Sequence, residues 1–284
     1  MRASTLRAAG LVTVVLAGLL GSAFVLGRSL VPDPHPSAAG VATTLTGPRY
    51  GEQPPSTDFP GGTTSPRPSP DAAPDAAPVP PDGDGPYGAL VATGSSRVAL
   101  TFDDGPDPRW TPQVLALLAQ YGVRATFCVV GENVEAHPDL VRSIVAEGHT
   151  LCNHSSKHDV NLGKRSPATI RADLLRTNDA ILAAAPDARI TYYRQPGGAW
   201  TPSVMSACAD LGLTPLHWSV DPSDWKAPGP AAIEATIRTQ MGPGAIVLMH
   251  DAGGDRSGTV TALQQLLPEM VSRFELEPLP VGNP

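Results

Sequence analysis

Between Arg97 and Pro278 the chain alternates short apolar runs with longer segments of helical spacing, about seven times over. Few folds satisfy that pattern. Parallel strands need a crossover of helical length, and strict alternation builds a parallel sheet with helices outside it. Strands are expected over residues 97–103, 125–130, 149–153, 191–193, 214–220 and 245–249, with a short last one over 275–279. Helices are expected over 111–122, 138–147, 166–185, 201–212, 230–240 and 258–273. Thr111, Ser166 and Thr201 each precede a proline, as a capping residue before the first helical position does. An eight-unit barrel is larger than this stretch. The expected fold class is therefore α/β: a distorted, incompletely closed (β/α)7 barrel.

The rest of the chain reads differently. Fifteen of its 32 prolines fall between Pro32 and Pro86, among few large apolar residues. Such a segment cannot bury enough surface to fold and is expected to be a disordered, semi-rigid linker. Ahead of it, residues 8–27 carry no charge and follow two arginines, Arg2 and Arg7. That length suits a membrane-spanning helix. It is either a cleaved secretory signal or an uncleaved signal-anchor, and both export the remainder of the chain. The expected organisation is 1–30 signal peptide or signal-anchor, 31–95 linker, 96–280 folded domain. The domain is expected outside the cell or at its surface, meeting a membrane only through the N-terminal segment, as a monomer. A formal net charge of −7 argues against nucleic acid as a partner. Cys128 and Cys152 lie in two apolar runs. On neighbouring strands of an exported domain they form either a disulfide or two reduced core thiols. Cys208 is left over, a small buried hydrophobe.

In barrels of this class chemistry collects where strands end. The notable polar residues stand there: Asp103 and Asp104, His154 and His158, Arg194, Asp221 and Asp224, His250 and Asp251. Adjacent carboxylates resist joint ionisation unless a cation compensates. Taken alone, Asp103-Asp104 is a solvated acidic turn and His154/His158 a solvated pair. Together, two histidines four residues apart and one carboxylate make a three-ligand site with an open position for water. A divalent ion there acidifies that water and polarises a carbonyl. One aspartate then ligates while the other acts as base.

Five motifs in order carry a resemblance. Thr101-Phe102-Asp103-Asp104-Gly105, His154-Ser155-Ser156-Lys157-His158, Arg194-Gln195-Pro196-Gly197-Gly198, Asp221-Pro222-Ser223-Asp224-Trp225 and Leu248-Met249-His250 resemble those of the NodB-like polysaccharide deacetylases, carbohydrate esterase family 4. The resemblance covers residues 97–278 and makes 96–280 a catalytic domain. It implies Asp103 as general base and Asp104, His154 and His158 as metal ligands. Arg194 would hold Asp103, and His250 would be the general acid tuned by Asp224. Trp225 and Leu248 would wall the acetyl pocket. Gly197 stands where the family commonly has an aromatic residue, often Tyr, whose backbone N–H serves an oxyanion hole; glycine keeps the N–H and loses the side chain. His137, His149 and His217 match no ligand position and read as structural. Trp200 and Trp218 read as packed or as sugar-facing. The implied activity is metal-dependent removal of N-acetyl groups from N-acetylglucosamine residues of an extracellular polysaccharide, peptidoglycan or chitin oligomers. Zinc suits two histidines and a carboxylate best, and cobalt, nickel or manganese fit the same ligands. O-acetyl removal from xylan or a similar glycan uses the same machinery. A non-catalytic glycan-binding domain would lack a ligand or the base, and none is missing.

Overall fold

Six strands pair in parallel in a computed structural model of the chain, described for residues 84–281. They are β1 (Ala99–Asp103), β2 (Thr126–Val129), β3 (Thr150–Asn153), β4 (Ile190–Tyr193), β5 (Thr214–Pro215) and β6 (Ile246–His250), in the spatial order β5-β4-β3-β2-β1-β6. Every residue of β1, β2, β3 and β6 is buried, as strands covered on both faces must be. The helices are α1 (Thr111–Gln120), α2 (Gly131–Ala136), α3 (Pro138–Ala146), α4 (Pro167–Ala184), α5 (Pro202–Asp210), α6 (Pro230–Gln240) and α7 (Ser257–Arg273). Five of them, α1 and α3 to α6, carry proline in the first turn, where its missing N–H costs nothing. Ser166 and Thr201 cap α4 and α5 through their side chains. Among the described residues no helix is long and apolar enough to cross a membrane. Expectations for the run 8–27, and for most of the proline-rich stretch, lie outside the described residues.

The period of two along each strand sorts side chains to two sides. Phe102 and Phe127 stack at 5.2 Å and join Leu118, Ile144, Leu263 and Leu267 in the core beneath the helices. Ala99, Cys128, Cys152, Tyr192 and Ile246 face the other way and form the barrel interior. Cys128 and Cys152 sit opposite each other in the β2–β3 register and are disulfide-bonded, while Cys208 is buried and free.

The structure departs from the expected elements in five places. The segment 214–220 is no continuous strand. Only Thr214 and Pro215 pair with β4; the chain then crosses to the far edge, where Val220 bridges Val247 of β6. A run that changes partner part-way cannot keep one ladder. The expected seventh strand at 275–279 is an isolated bridge, Leu276 to Val98, so the sheet has six strands. Its continuation straps the strand starts, with the Leu279 N–H donating to Thr126 Oγ1 and the Thr150 hydroxyl to the Leu279 carbonyl. The short α2 buries only Gly131 and Val134, too little apolar pattern to be read from sequence. Thr111 is the first helical residue rather than the cap, because its hydroxyl is taken by Asp251.

The packed body also starts ahead of residue 96, where the linker was expected to end. Ala89 is fully buried, Leu90 bridges Leu216 and Ala92 bridges Ala245. Residues 85–93 thus fill the gap between β5 and β6, the two edges that a six-stranded sheet leaves open.

Candidate active site

Four strand ends deliver the polar residues to one place. Asp103 closes β1 and lies beside His250, the last residue of β6, in parallel register. His154 follows β3 and Arg194 follows β4. Asp104 then takes a left-handed backbone, φ 76°. That turn lets two consecutive carboxylates meet different partners, which a straight strand end would not. Gly105 is required for room: a Cβ there would stand 2.5 Å from the Asp251 carboxylate.

Asp103 is held from one side. Arg194, fully buried, donates from Nη1 to Asp103 Oδ1 at 2.7 Å and to Thr101 Oγ1 at 2.8 Å. Its Nη2 donates to the His217 carbonyl at 2.9 Å. A buried ion pair offsets its desolvation only when its remaining donors are also satisfied, and these contacts supply most of that. Asp103 Oδ2 stays on the open side, 3.6 Å from His154 Nε2.

The three groups expected to hold a metal converge. One ligand atom each from Asp104, His154 and His158 lie within 4.8 Å of one another, the one such trio among the described residues. His154 Nδ1 is 2.8 Å from the Arg194 carbonyl, which can only accept, so Nδ1 carries the proton and Nε2 presents a lone pair. Asp104 Oδ1 is buried without a hydrogen-bond donor. It faces His154 Nε2 at 3.5 Å and His158 Nε2 at 3.2 Å. An unpartnered carboxylate oxygen and two imidazole nitrogens around one point fit a divalent cation. The two histidines do not sit on a helix. They flank a loop in which Ser155 (φ 65°) and His158 (φ 53°) are left-handed.

On the opposite wall, His250 Nδ1 meets Asp224 Oδ1 at 2.7 Å, and the His250 N–H donates to Asp224 Oδ2 at 2.9 Å. Burial would lower His250, and the Asp224 hydrogen bond and charge overcome it and raise it. The Thr259 hydroxyl donates to Asp224 Oδ2 at 2.8 Å. Arg256 donates to the carbonyls of Ala252, Asp224 and Gly253, tying the two loops behind His250 together.

These groups line a cleft of 430 Å³. Asp103, Asp104, His154, His158, Gly197, Trp225, Leu248 and His250 reach its surface, while Arg194 and Asp224 lie directly behind it. Gly197 is left-handed (φ 61°), and a Cβ there would meet Val160 Cγ1 at 3.3 Å. Val160 and Trp218 stand in the wall where a larger residue at 197 would be expected. Trp225 is half-exposed at the rim with the Lys226 ammonium 4.5 Å over its ring. A larger cleft, 510 Å³, opens at the other end of the sheet beside Arg124, His149 and Glu277. It gathers no comparable ligand set among the described residues, so chemistry rather than volume picks the site.

A sequence model of the family described as "Polysaccharide deacetylase" matches residues 91–216. A chitooligosaccharide deacetylase of Bradyrhizobium sp. (strain ANU 289) is 43% identical over 200 residues, covering 66% of this chain and 91% of its own length. The chain belongs to the polysaccharide deacetylase family. A crystal structure of a peptidoglycan N-acetylglucosamine deacetylase is 33% identical, with a TM-score of 0.63, over 66% of this chain and 88% of that one. A Bacillus anthracis protein described as a pseudoenzyme of the same esterase family is also similar, at 28% identity, a TM-score of 0.61, and 66% and 65% coverage. Family membership therefore leaves activity to be argued from the residues.

In this polysaccharide deacetylase family member, several site residues carry no sequence signal of their own. Arg256 and Thr259 act through backbone contacts or a hydroxyl. Asp251 is fully buried; the Thr111 hydroxyl donates to its Oδ2 at 2.5 Å. Its place directly after His250 was the one available hint. The histidines expected to be structural sit outside the trio: His149 Nδ1 accepts from the Ala125 N–H, and burial and the Arg124 charge push it down to about 4. Of the two uncertain tryptophans, Trp200 is buried and Trp218 lines the cleft.

Proposed function

We propose that this cleft removes N-acetyl groups from N-acetylglucosamine units of an extracellular polysaccharide, peptidoglycan or chitin oligomers, with a divalent ion, zinc, as cofactor. The observation that carries the reading is the division of labour at the end of β1. Asp103 keeps one oxygen open beside the trio while Arg194 occupies the other. The names of two relatives support the substrate, one a chitooligosaccharide deacetylase and one a peptidoglycan N-acetylglucosamine deacetylase.

Asp104, His154 and His158 would hold the ion, which when bound polarises the acetyl oxygen and acidifies a water. Asp103 accepts the water's proton through its open oxygen as the water attacks the acetyl carbon. A carboxylate can take a proton from water only when that proton is acidified. Arg194 keeps Asp103 aimed. The Gly197 backbone lines the cleft where negative charge develops on the acetyl oxygen. His250, kept protonated by Asp224, donates to the sugar nitrogen as the C–N bond breaks, leaving acetate and a free amine. Leu248 and Trp225 offer an apolar wall to the acetyl methyl, and Trp218 a face for a sugar ring. An exported location is supported by the uncharged run behind two arginines and by the Cys128–Cys152 bridge, which suits an oxidising compartment.

The test is acetate release from chitin oligomers, peptidoglycan and acetylated xylan after chelation and stepwise return of zinc, cobalt, nickel or manganese. The expected result is zinc-restored release from the N-acetylated polymers, reduced at least about a hundred-fold in Asp103→Asn. Release from xylan alone would select the esterase reading. Undiminished release after chelation would overturn the metal-dependent mechanism.

A further inference from the structure

The family's sequence model begins at residue 91, yet the packed body begins before it. Residues 85–89 form a tight turn, with the Gly85 N–H donating to the Ala89 carbonyl at 3.0 Å and the Gly88 N–H to the Gly85 carbonyl at 2.9 Å. The turn drives Ala89 into the core beside Leu162, Tyr193 and Leu213. The next residue pairs both ways: the Leu90 N–H donates to the Pro215 carbonyl at 2.8 Å, and the His217 N–H donates to the Leu90 carbonyl at 2.7 Å. Beyond it the Thr93 N–H donates to the Gly244 carbonyl at 2.9 Å, at the foot of the strand that ends in His250.

His217 is the link to the chemistry. Its carbonyl receives Arg194 Nη2 at 2.9 Å, and Arg194 Nη1 holds Asp103. Its ring receives the Trp200 indole N–H at 3.2 Å and lies 3.9 Å from the Trp218 ring. The Leu90 carbonyl fixes the amide of the very residue whose carbonyl seats Arg194.

We propose that residues 85–93, near the end of the stretch expected to be linker, are a positioning element of the active site, fixing the 216–218 segment and through it the orientation of Arg194 and Asp103. The inference rests on the deacetylase reading of the cleft. It assigns a role in catalysis to an element whose first six residues, 85–90, precede the region that the family's model matches.

Gly85→Val in the full chain, loaded with zinc, is the variant of choice. The Gly85 backbone is extended (φ −81°, ψ −176°), so valine fits its conformation, but a Cβ would intrude on the Ala89 carbonyl and Val91. The control is Val141→Ala, a core truncation in α3. Gly85→Val should lower kcat about ten-fold with KM little changed, and should release the His217 amide to hydrogen exchange measured by NMR. Val141→Ala, matched or lower in melting temperature, should keep kcat and His217 protection. If valine prevents folding, Leu90→Pro deletes the amide donated to Pro215 and is read in the same way. The proposal is overturned if the strap variant loses no more kcat than the control, or if its His217 amide stays protected. A parent protein that releases no acetate from any N-acetylated glycan would instead sink the functional reading, and the His217 exchange would still decide the strap.

Discussion

Asp103 and Asp104 share a peptide bond and little else. The first is pinned by a buried guanidinium; the second is turned by a left-handed backbone towards two imidazoles. A third carboxylate, Asp251, lies behind them and serves neither. Burial pushes it up to about 7, against the Thr111 hydrogen bond and with the Asp104 and Asp103 charges adding to the rise. The folded state therefore binds its proton more tightly than the unfolded chain does. The resulting stability is complete below the ordinary carboxylate value of 3.8 and is lost as pH rises through about 7. In the chelated protein, Asp251→Asn should flatten the fall in unfolding free energy between those pH values by a few kcal/mol. Denaturant melts at each end of the range check it, and a slope unchanged by the substitution would refute it. Asp103, Asp104, His154, Arg194 and His250 stood out in the sequence because each follows an apolar run, and His158 because it lies four residues after His154; the roles expected of them came from the five-motif resemblance. Asp251 and Arg256 stand in the same loop and were not assigned, since their partners are a hydroxyl and backbone carbonyls that only the fold brings near.

At the scale of elements, α7 does more than cover the sheet. Its Thr259 hydroxyl completes the coordination of the Asp224 carboxylate that orients His250. Thr259→Val keeps the shape and leaves a buried carboxylate oxygen one donor short, a cost of about 1–3 kcal/mol. It should also lower kcat. Thr201→Ala removes the α5 cap for about 1 kcal/mol and should leave kcat alone. Paired melting and kinetic measurements separate the two, and equal kinetic effects would count against the Asp224 argument. Proline-capped helices and fully apolar strands were readable because local chemistry decides them. The crossing segment 214–220 was not, because its apolar run is the same whether it pairs with one strand or with two. The bounds of the linker failed for a related reason: Gly85 to Thr93 is poor in large apolar residues and is held mainly by its backbone.

At the scale of the whole molecule, the sheet is sewn at both ends. The Cys128–Cys152 bridge ties β2 to β3, and the chain after Leu276 straps the strand starts. At the other end, Asp104 and the two histidines leave their lone pairs facing one point. Filling that point should stabilise the fold: zinc at a hundred-fold excess over its dissociation constant adds about 2.7 kcal/mol to unfolding. The shift in melting temperature should vanish in His158→Ala, and a shift that survives there would place the ion elsewhere.

The 85–93 strap also has a mechanical meaning. Force applied along the chain ahead of residue 84 enters the domain at the Gly85–Ala89 turn and is borne next by the hydrogen bonds that Leu90 makes with Pro215 and His217, before any load reaches β1. Once that turn gives, the next contacts to be loaded are the ones that hold the seat of Arg194. A pull at Gly85 and the seat of Arg194 thus meet at a single peptide, Leu90.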